Sequence, residues 1–194
     1  MAPQDFARAA LPWLLALSAV PLSAAETYRI DTQPSHVEIL VRRFGIVWLR
    51  ASFREVSGEF VLDRTGNQSR VEVAVVANTV EVPDRHWTAR LRSADWLDTR
   101  HYPQIVFRAA QARLSTGNSA TVSGRLTLHG ITRPETLIVD EVDCLAAARP
   151  APRCTFSAHA QVLRSNYGLP HGFWLAGDEV EIAISGSARR ISSK

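Results

Sequence analysis

Apolar residues alternate with polar ones along most of this chain, in runs that are separated by turn-forming residues. In the clearest run, Val122, Gly124, Leu126 and Leu128 occupy one face and polar side chains occupy the other. A period of two is typical of a β-strand with one buried face. We count about eight long runs of this kind, so the fold has to bury eight apolar faces. Closing the sheet into a barrel buries them and removes the exposed edges.

The runs predict sequential antiparallel strands near residues 36–43, 51–63, 71–77, 103–114, 121–129, 135–143, 155–162 and 179–189. Residues 129–134, HGITRP, are expected to connect two of them. Between residues 84 and 100 the period is lost, and Leu91, Trp96 and Leu97 stand among charged side chains. This suits a short amphipathic helical segment. The sequence therefore predicts an all-β fold, an eight-stranded antiparallel β-barrel with a short helical insertion around residues 84–100.

The predicted inward face of the barrel carries many small residues, namely Gly58, Ala77, Ala109, Gly124, Ala158, Ala160, Gly186 and Ala188. They favour two interpretations. They can leave a lumen that is lined by larger apolar side chains and holds an apolar ligand. Alternatively, they let curved strands approach closely or fit beside large neighbours in a plain β-sandwich with a filled core. The outward positions are polar, as at Glu72, Arg108 and Arg125, which argues against a barrel embedded in lipid.

The first 25 residues predict a cleaved signal peptide, with an uncleaved membrane anchor as the alternative. Arg8 precedes an apolar run, and Ser23 and Ala25 have the spacing that signal peptidase recognises. The predicted mature domain is residues 26–194. In an exported chain, a cysteine pair such as Cys144 and Cys154 around a proline-containing loop predicts a disulfide. Free or metal-binding thiols are the alternative, although no histidine stands at zinc-motif spacing from them.

Charge and motifs narrow the function. The formal net charge is +3, from 22 basic and 19 acidic residues, and the bases are scattered. Without a basic run that contains aromatic residues, we expect no nucleic-acid partner. The chain has no nucleophile elbow, phosphate-binding glycine loop or zinc-type histidine spacing, so we expect neither an enzyme nor a metal site. An interaction module with a filled core, and an enzyme acting on a lipid or quinone-like substrate, stay open as alternatives.

Three stretches are more specific: LRSADWLDTRHYPQIVF at 91–107, GRLTLHGITRPETL at 124–137 and RSNYGLP at 164–170. In this order they resemble the YceI-like family, and the resemblance extends over nearly all of the predicted mature chain. It implies a periplasmic, lipocalin-like barrel whose interior holds a polyisoprenoid or another long amphiphile, in a family not known for enzymes. Trp96 stands where the family usually has Phe. Trp87, Thr88 and Arg90 stand where it commonly has an Arg-Asp pair and a His, which leaves the head group undefined.

The inward positions and the motifs together predict the ligand-binding residues Val41, Phe60, Val73, Leu91, Arg92, Trp96, Leu97, Tyr102, Phe107, Gly124, Leu126, Phe156, Ala158, Phe173 and Ile182. Arg90, Arg92 and His129 are candidates to bind an anionic head group, or else ordinary solvated side chains. We expect an apolar or lipid ligand and no other cofactor. We also expect a transient contact with the membrane, and a protein that is a monomer or a homodimer.

Overall fold

The computed structural model describes residues 26–43, 46–62, 69–114, 119–144, 153–169 and 176–191. These residues form one helix, α1 (Arg85–Arg92), and short 3₁₀ turns at Ala77–Thr79 and Arg164–Tyr167. The strands are β1 (Glu26–Ile30), β2 (His36–Arg43), β3 (Val47–Phe53), β4 (Val56–Leu62), β5 (Arg70–Val76), β6 (Gln104–Leu114), β7 (Ala120–Leu128), β8 (Ile131–Cys144), β9 (Arg153–Leu163) and β10 (Ala176–Ile191). The predicted signal peptide, residues 1–25, lies outside the described residues.

All neighbouring strands pair antiparallel, and the sheet closes on itself. The closed ring runs β1-β4-β5-β6-β7-β8-β9-β10, and β10 pairs back with β1. The long strand β10 pairs with β1 near its C-terminal end and with β2 over residues 176–185. Thus β1 and β2 together form one bent strand of the wall, and β3 and β4 form the next. The predicted eight-stranded antiparallel barrel with a short helical insertion is confirmed.

Several strand boundaries differ from the sequence prediction, and two of the differences change the shape of the wall. The strand expected over residues 51–63 is broken at Arg54 and Glu55, because β3 pairs with β2 whereas β4 pairs with β1 and β5. The HGITRP connection is also shorter than expected. Leu128 pairs with Ile131, so only His129 and Gly130 form the turn, and both have positive φ angles, 51° and 73°. Positive φ at both central residues is the geometry of the tight hairpin turn.

Helix α1 lies beside β3, whose outer edge pairs with no further strand among the described residues. The Asp84 side chain accepts a hydrogen bond from the His86 backbone N–H at 2.8 Å and caps the helix N-terminus. On its far side from β2, β3 bonds the segment that leads into α1. Ser52 and Glu81 exchange two backbone hydrogen bonds, of 2.8 and 2.9 Å. The helical insertion is therefore attached to the wall at β3.

Aromatic side chains and the disulfide fill the end of the barrel that β1 and β4 form. The Tyr28 and Phe60 rings stack at 5.2 Å between centroids, and Phe156 meets Phe60 edge-on at 6.2 Å. The predicted disulfide between Cys144 and Cys154 is present, and Cys154 is fully buried in the same core cluster. This end of the barrel is packed solid, so any internal space lies towards β2, β3 and α1.

Candidate ligand-binding cavity

A cavity of about 540 Å³ occupies the other half of the barrel. Its lining comes from strands β2, β3 and β5 to β10, from α1 and the segments on either side of it, and from Arg164 and Leu169. The described residues of β1 and β4 contribute none. The strands contribute mostly valine, isoleucine and leucine side chains. A volume of 300–1,000 Å³ is typical of pockets that enclose small-molecule ligands. The structure therefore favours the lumen interpretation of the inward face over the filled core.

The small inward residues do not create this lumen. Of the eight that the sequence singles out, Ala160 is the one that lines the cavity. Ala109 and Ala158 belong to a second, packed core cluster, and a Cβ atom at Gly186 would overlap Ser35. These small residues let neighbouring groups approach closely, as the alternative interpretation proposed. A lumen is therefore present, as the first interpretation proposed, but most of these small residues serve the close packing that the second interpretation proposed.

Phe107 forms the boundary between the cavity and the packed half. It lines the cavity and also packs against both core clusters. Gly124 lies directly beside its ring, because a Cβ atom there would be 2.6 Å from Phe107 Cζ and from the Arg108 carbonyl oxygen. The Phe107 ring therefore already occupies the space that a side chain at position 124 would need.

The cavity opens between β3 and α1. Trp48 and Leu49 on β3 and Trp87 on α1 line it, yet they are 44%, 44% and 40% exposed. Arg50 and Arg90 also line it and are exposed. Side chains that contact both the lumen and solvent mark an entrance, which we call the mouth.

Two charged side chains, Arg164 and Glu135, stand in the cavity wall at the turn after β9 and at β8. Arg164 is only 5% exposed, and its Cζ lies 6.0 Å from the centroid of the Trp96 ring. Burial lowers the pKa of Arg164, and the negative charge of Asp178 partly opposes that shift. Asp178 is held in place by the Ser165 backbone N–H, which donates at 2.9 Å, and by the Ser165 hydroxyl, which donates at 2.6 Å.

Glu135 is the second polar group of the wall. Its Oε1 accepts a hydrogen bond of 2.8 Å from the Tyr167 hydroxyl, and the Tyr167 side chain is fully buried. Burial raises the pKa of Tyr167, and the hydrogen bond to Glu135 raises it further, so the phenol stays protonated as a donor. Sequence reasoning missed Arg164 and Glu135 as wall residues. The only signal for Arg164 and Tyr167 was the RSNYGLP stretch, which has no strand or helix period.

The structure brings together many of the residues that the sequence predicts for the site. The predicted residues that line the cavity are Val41, Val73, Arg90, Leu91, Trp96, Leu97, Phe107, Leu126 and Ile182. They come from five strands and from the helical insertion. Phe173 lies outside the described residues.

The other predicted site residues lie elsewhere. Phe60 and Phe156 belong to the aromatic end of the barrel, and Ala158 belongs to the second core cluster. They face the barrel interior as predicted, but at a level along the barrel axis where side chains fill that interior. Tyr102 packs over the β7–β8 turn, with its ring 4.6 Å from the ring of His129.

The two remaining head-group candidates also lie outside the cavity lining. Arg92 turns to the chain before α1, where its Nη2 donates to the Val80 carbonyl at 2.9 Å. The Nδ1 atom of His129 is 3.2 Å from the Tyr167 carbonyl oxygen, so this ring joins the β7–β8 turn to the turn after β9. Of the three candidates, Arg90 is the one at the mouth.

Within the residues that the structure describes, no group of three or more His, Cys, Asp or Glu side chains is placed to hold a metal ion. Among the same described residues, no helix has the length and hydropathy needed to cross a membrane.

Known proteins resemble this chain in sequence and in fold. Residues 28–188 match the YceI-like domain. Protein YceI of Escherichia coli O6:H1 is 30% identical over 168 residues, which cover 84% of this chain and 86% of that protein. The crystal structure of Burkholderia cenocepacia BcnA superposes with a TM-score of 0.71 at 23% identity, covering 81% of this chain and 98% of that one. A polyisoprenoid binding domain from Saccharophagus degradans, implicated in plant cell wall breakdown, superposes with a TM-score of 0.64 at 17% identity, covering 84% and 98%.

Proposed function

Given that this chain belongs to the YceI-like family, we propose that it binds, sequesters or transports one long apolar or amphiphilic molecule in its barrel. A polyisoprenoid or a similar long-chain lipid is the proposed ligand class. The observation that carries this proposal is the cavity of about 540 Å³ with its largely aliphatic lining. The likeness in fold to the polyisoprenoid binding domain of Saccharophagus degradans supports the same class.

Burial of the ligand's hydrocarbon chain supplies the affinity. Each methylene that leaves water for an apolar site contributes about 0.8 kcal/mol. Immobilising the ligand costs roughly 4–15 kcal/mol, so the ligand has to bury many carbons before binding becomes tight. The cavity is lined from the mouth to Phe107, so a hydrocarbon chain that enters at the mouth can bury many of its carbons.

The proposed compartment is the periplasm, reached with a signal peptide over residues 1–25 that is cleaved before Glu26. The disulfide between Cys144 and Cys154 supports an oxidising compartment. The intact mass of the protein isolated from a periplasmic fraction checks this part of the proposal. A chain that begins at Glu26 is expected, and a chain that retains residues 1–25 contradicts it.

Native mass spectrometry of the mature protein, purified without added lipid or detergent, tests the ligand proposal. We expect a stoichiometric adduct that solvent extraction releases as a prenyl or acyl compound. Leu126→Asp places a carboxylate in the cavity wall and should abolish the adduct. Arg125→Asp on the neighbouring, exposed position of β7 is the matched control and should retain it. An empty spectrum that stays empty after challenge with prenyl and acyl lipids contradicts the proposal and favours the interaction module.

Ligand exchange at a membrane is part of the proposal, since a long prenyl or acyl chain is poorly soluble in water. The barrel carries this out as a monomer or as a homodimer. The mouth between β3 and α1 is the proposed route of entry.

A further inference from the structure

Large apolar side chains are exposed mainly on one part of the described surface. Six such side chains are more than about a third exposed: Ile46 at 82%, Trp48 and Leu49 at 44%, Trp87 at 40%, Ile138 at 43% and Leu163 at 45%. The first three stand at the start of β3, and Trp87 joins Trp48 and Leu49 in the lining of the mouth. We call Ile46, Trp48, Leu49 and Trp87 the mouth surface. Clustered exposure of this kind marks an interaction site, whereas single exposed residues need no explanation.

Cationic side chains accompany the mouth surface. The Arg42 guanidinium lies 4.7 Å from the centroid of the Trp48 ring, and Arg42 is exposed. Arg50 and Arg90 line the mouth itself. Acidic groups nearby include Asp84, which caps α1, Glu38, which lies 3.8 Å from Arg50, and Glu81, which pairs with Arg54 at 2.8 Å. Arginines therefore outnumber acids around the entrance, so this surface suits a partner with negative charge.

We propose that the mouth surface docks the barrel onto a lipid bilayer that carries anionic head groups, with the cavity opening towards the lipid. This inference rests on the proposed function, because only a barrel that exchanges lipid needs its mouth at a bilayer. Tryptophan and arginine are suited to the interface, where the indole ring meets the head-group level and the guanidinium meets phosphate. The apolar side chains at the start of β3 would enter the outer acyl region, as those of interfacial helices do.

A bilayer fits this surface better than a second protein chain does. The mouth surface includes cavity-lining residues, so whatever covers it also covers the entrance. A protein partner there would close the cavity, whereas a lipid phase both covers the apolar side chains and supplies or accepts the ligand. The same surface can then serve docking and exchange in one encounter.

Sedimentation with vesicles tests the inference on the mature protein. We would use vesicles of phosphatidylglycerol mixed with phosphatidylethanolamine, and matched vesicles of phosphatidylcholine. Each arginine at an anionic surface strengthens partitioning about fivefold, so binding should favour the phosphatidylglycerol vesicles and weaken as salt is added. Equal binding to both vesicle types, or none, overturns the inference.

Ile46→Asp is the decisive variant, because Ile46 is exposed and does not line the cavity. It should weaken binding to the phosphatidylglycerol vesicles by at least about tenfold, since it replaces an inserted apolar side chain with an anion. Ile138→Asp is the matched control, because Ile138 is an exposed isoleucine on the outer side of β8, away from the mouth, and this variant should leave vesicle binding unchanged. Arg42→Gln should weaken binding only to the anionic vesicles.

Binding of a soluble fluorescent fatty acid, measured without vesicles, separates this inference from the proposed function. We expect Ile46→Asp to keep the wild-type affinity for that probe while it loses the vesicles. Wild-type protein that binds the probe but no vesicles overturns the docking inference alone. Protein that binds neither overturns both. Self-association that Ile46→Asp abolishes, without vesicle binding, would assign the surface to a second copy instead.

Discussion

The volume of the cavity predicts how affinity depends on the length of a bound hydrocarbon chain. At about 30 Å³ for a water-sized group, 540 Å³ accommodates on the order of 18 chain carbons. Up to that length each added methylene should lower the Kd about fourfold, from about 0.8 kcal/mol of transfer free energy. Longer chains should gain little, because the additional carbons extend into solvent beyond the mouth.

Ala160→Trp perturbs this relation directly. Ala160 lines the cavity beside Ile182, its partner on β10, and the indole side chain adds about nine non-hydrogen atoms to the lumen. The affinity plateau should therefore move to shorter chains. If five carbons of an 18-carbon ligand are displaced, about 4 kcal/mol is lost, which is about 700-fold in Kd.

A series of saturated alcohols of increasing chain length, competing with a fluorescent fatty acid, gives the dependence of Kd on chain length for the wild type and for Ala160→Trp. Gln161→Trp is the matched control, because Gln161 is the next residue of β9 and its side chain is exposed. Thermal unfolding of both variants confirms that the barrel is intact. An unchanged plateau in folded Ala160→Trp protein, or a wild-type affinity that does not vary with chain length, would refute binding inside the lumen.

Three further outcomes follow from the packing and the ionisable groups. The pKa of Tyr167 is raised in the folded state, so the stability that the protonated phenol gives the fold is complete below its ordinary pKa of about 10 and is lost as pH rises beyond it. Chemical denaturation should show the free energy of unfolding falling by up to about 1.4 kcal/mol per pH unit above that pH, and the slope should flatten in Tyr167→Phe. Replacing Cys144 and Cys154 together by alanine should lower the free energy of unfolding by about 2 to 3 kcal/mol, and reducing agent should then have no further effect. Gly124→Ala should cost about 1–3 kcal/mol in the same assay and weaken ligand binding, because the Phe107 ring and the wall must shift to admit a Cβ atom; wild-type stability would contradict the close approach.

The sequence predicts the architecture well because strand formation has a local signal. A period of two along Val71, Val73 and Val75, or along Ile182 and Ile184, shows which face of a strand is buried wherever that strand lies. The bend at Arg54 and Glu55 has only a partial signal, because Phe53 is out of phase with Gly58, Phe60 and Leu62. The break itself follows from the pairing of β3 and β4 with different strands.

The position of a residue along the barrel axis has no local signal either. Phe60 and Phe107 are both aromatic residues on buried strand faces, but one fills the closed end and the other borders the cavity. Their heights follow from the stagger of the strands around the ring, which depends on every pairing in the sheet. For the same reason, Gly124 looks like open space in the sequence and is occupied by the Phe107 ring in the structure.

The sequence by itself determined that the chain has strands with one apolar face, a helical insertion and a cysteine pair able to close a loop, because these depend on near neighbours and on composition. Only the tertiary structure decided which half of the barrel is hollow, where it opens, and that Arg164 and Glu135 stand in its wall. Those features depend on side chains from strands far apart in sequence, and closure of the sheet brings them together.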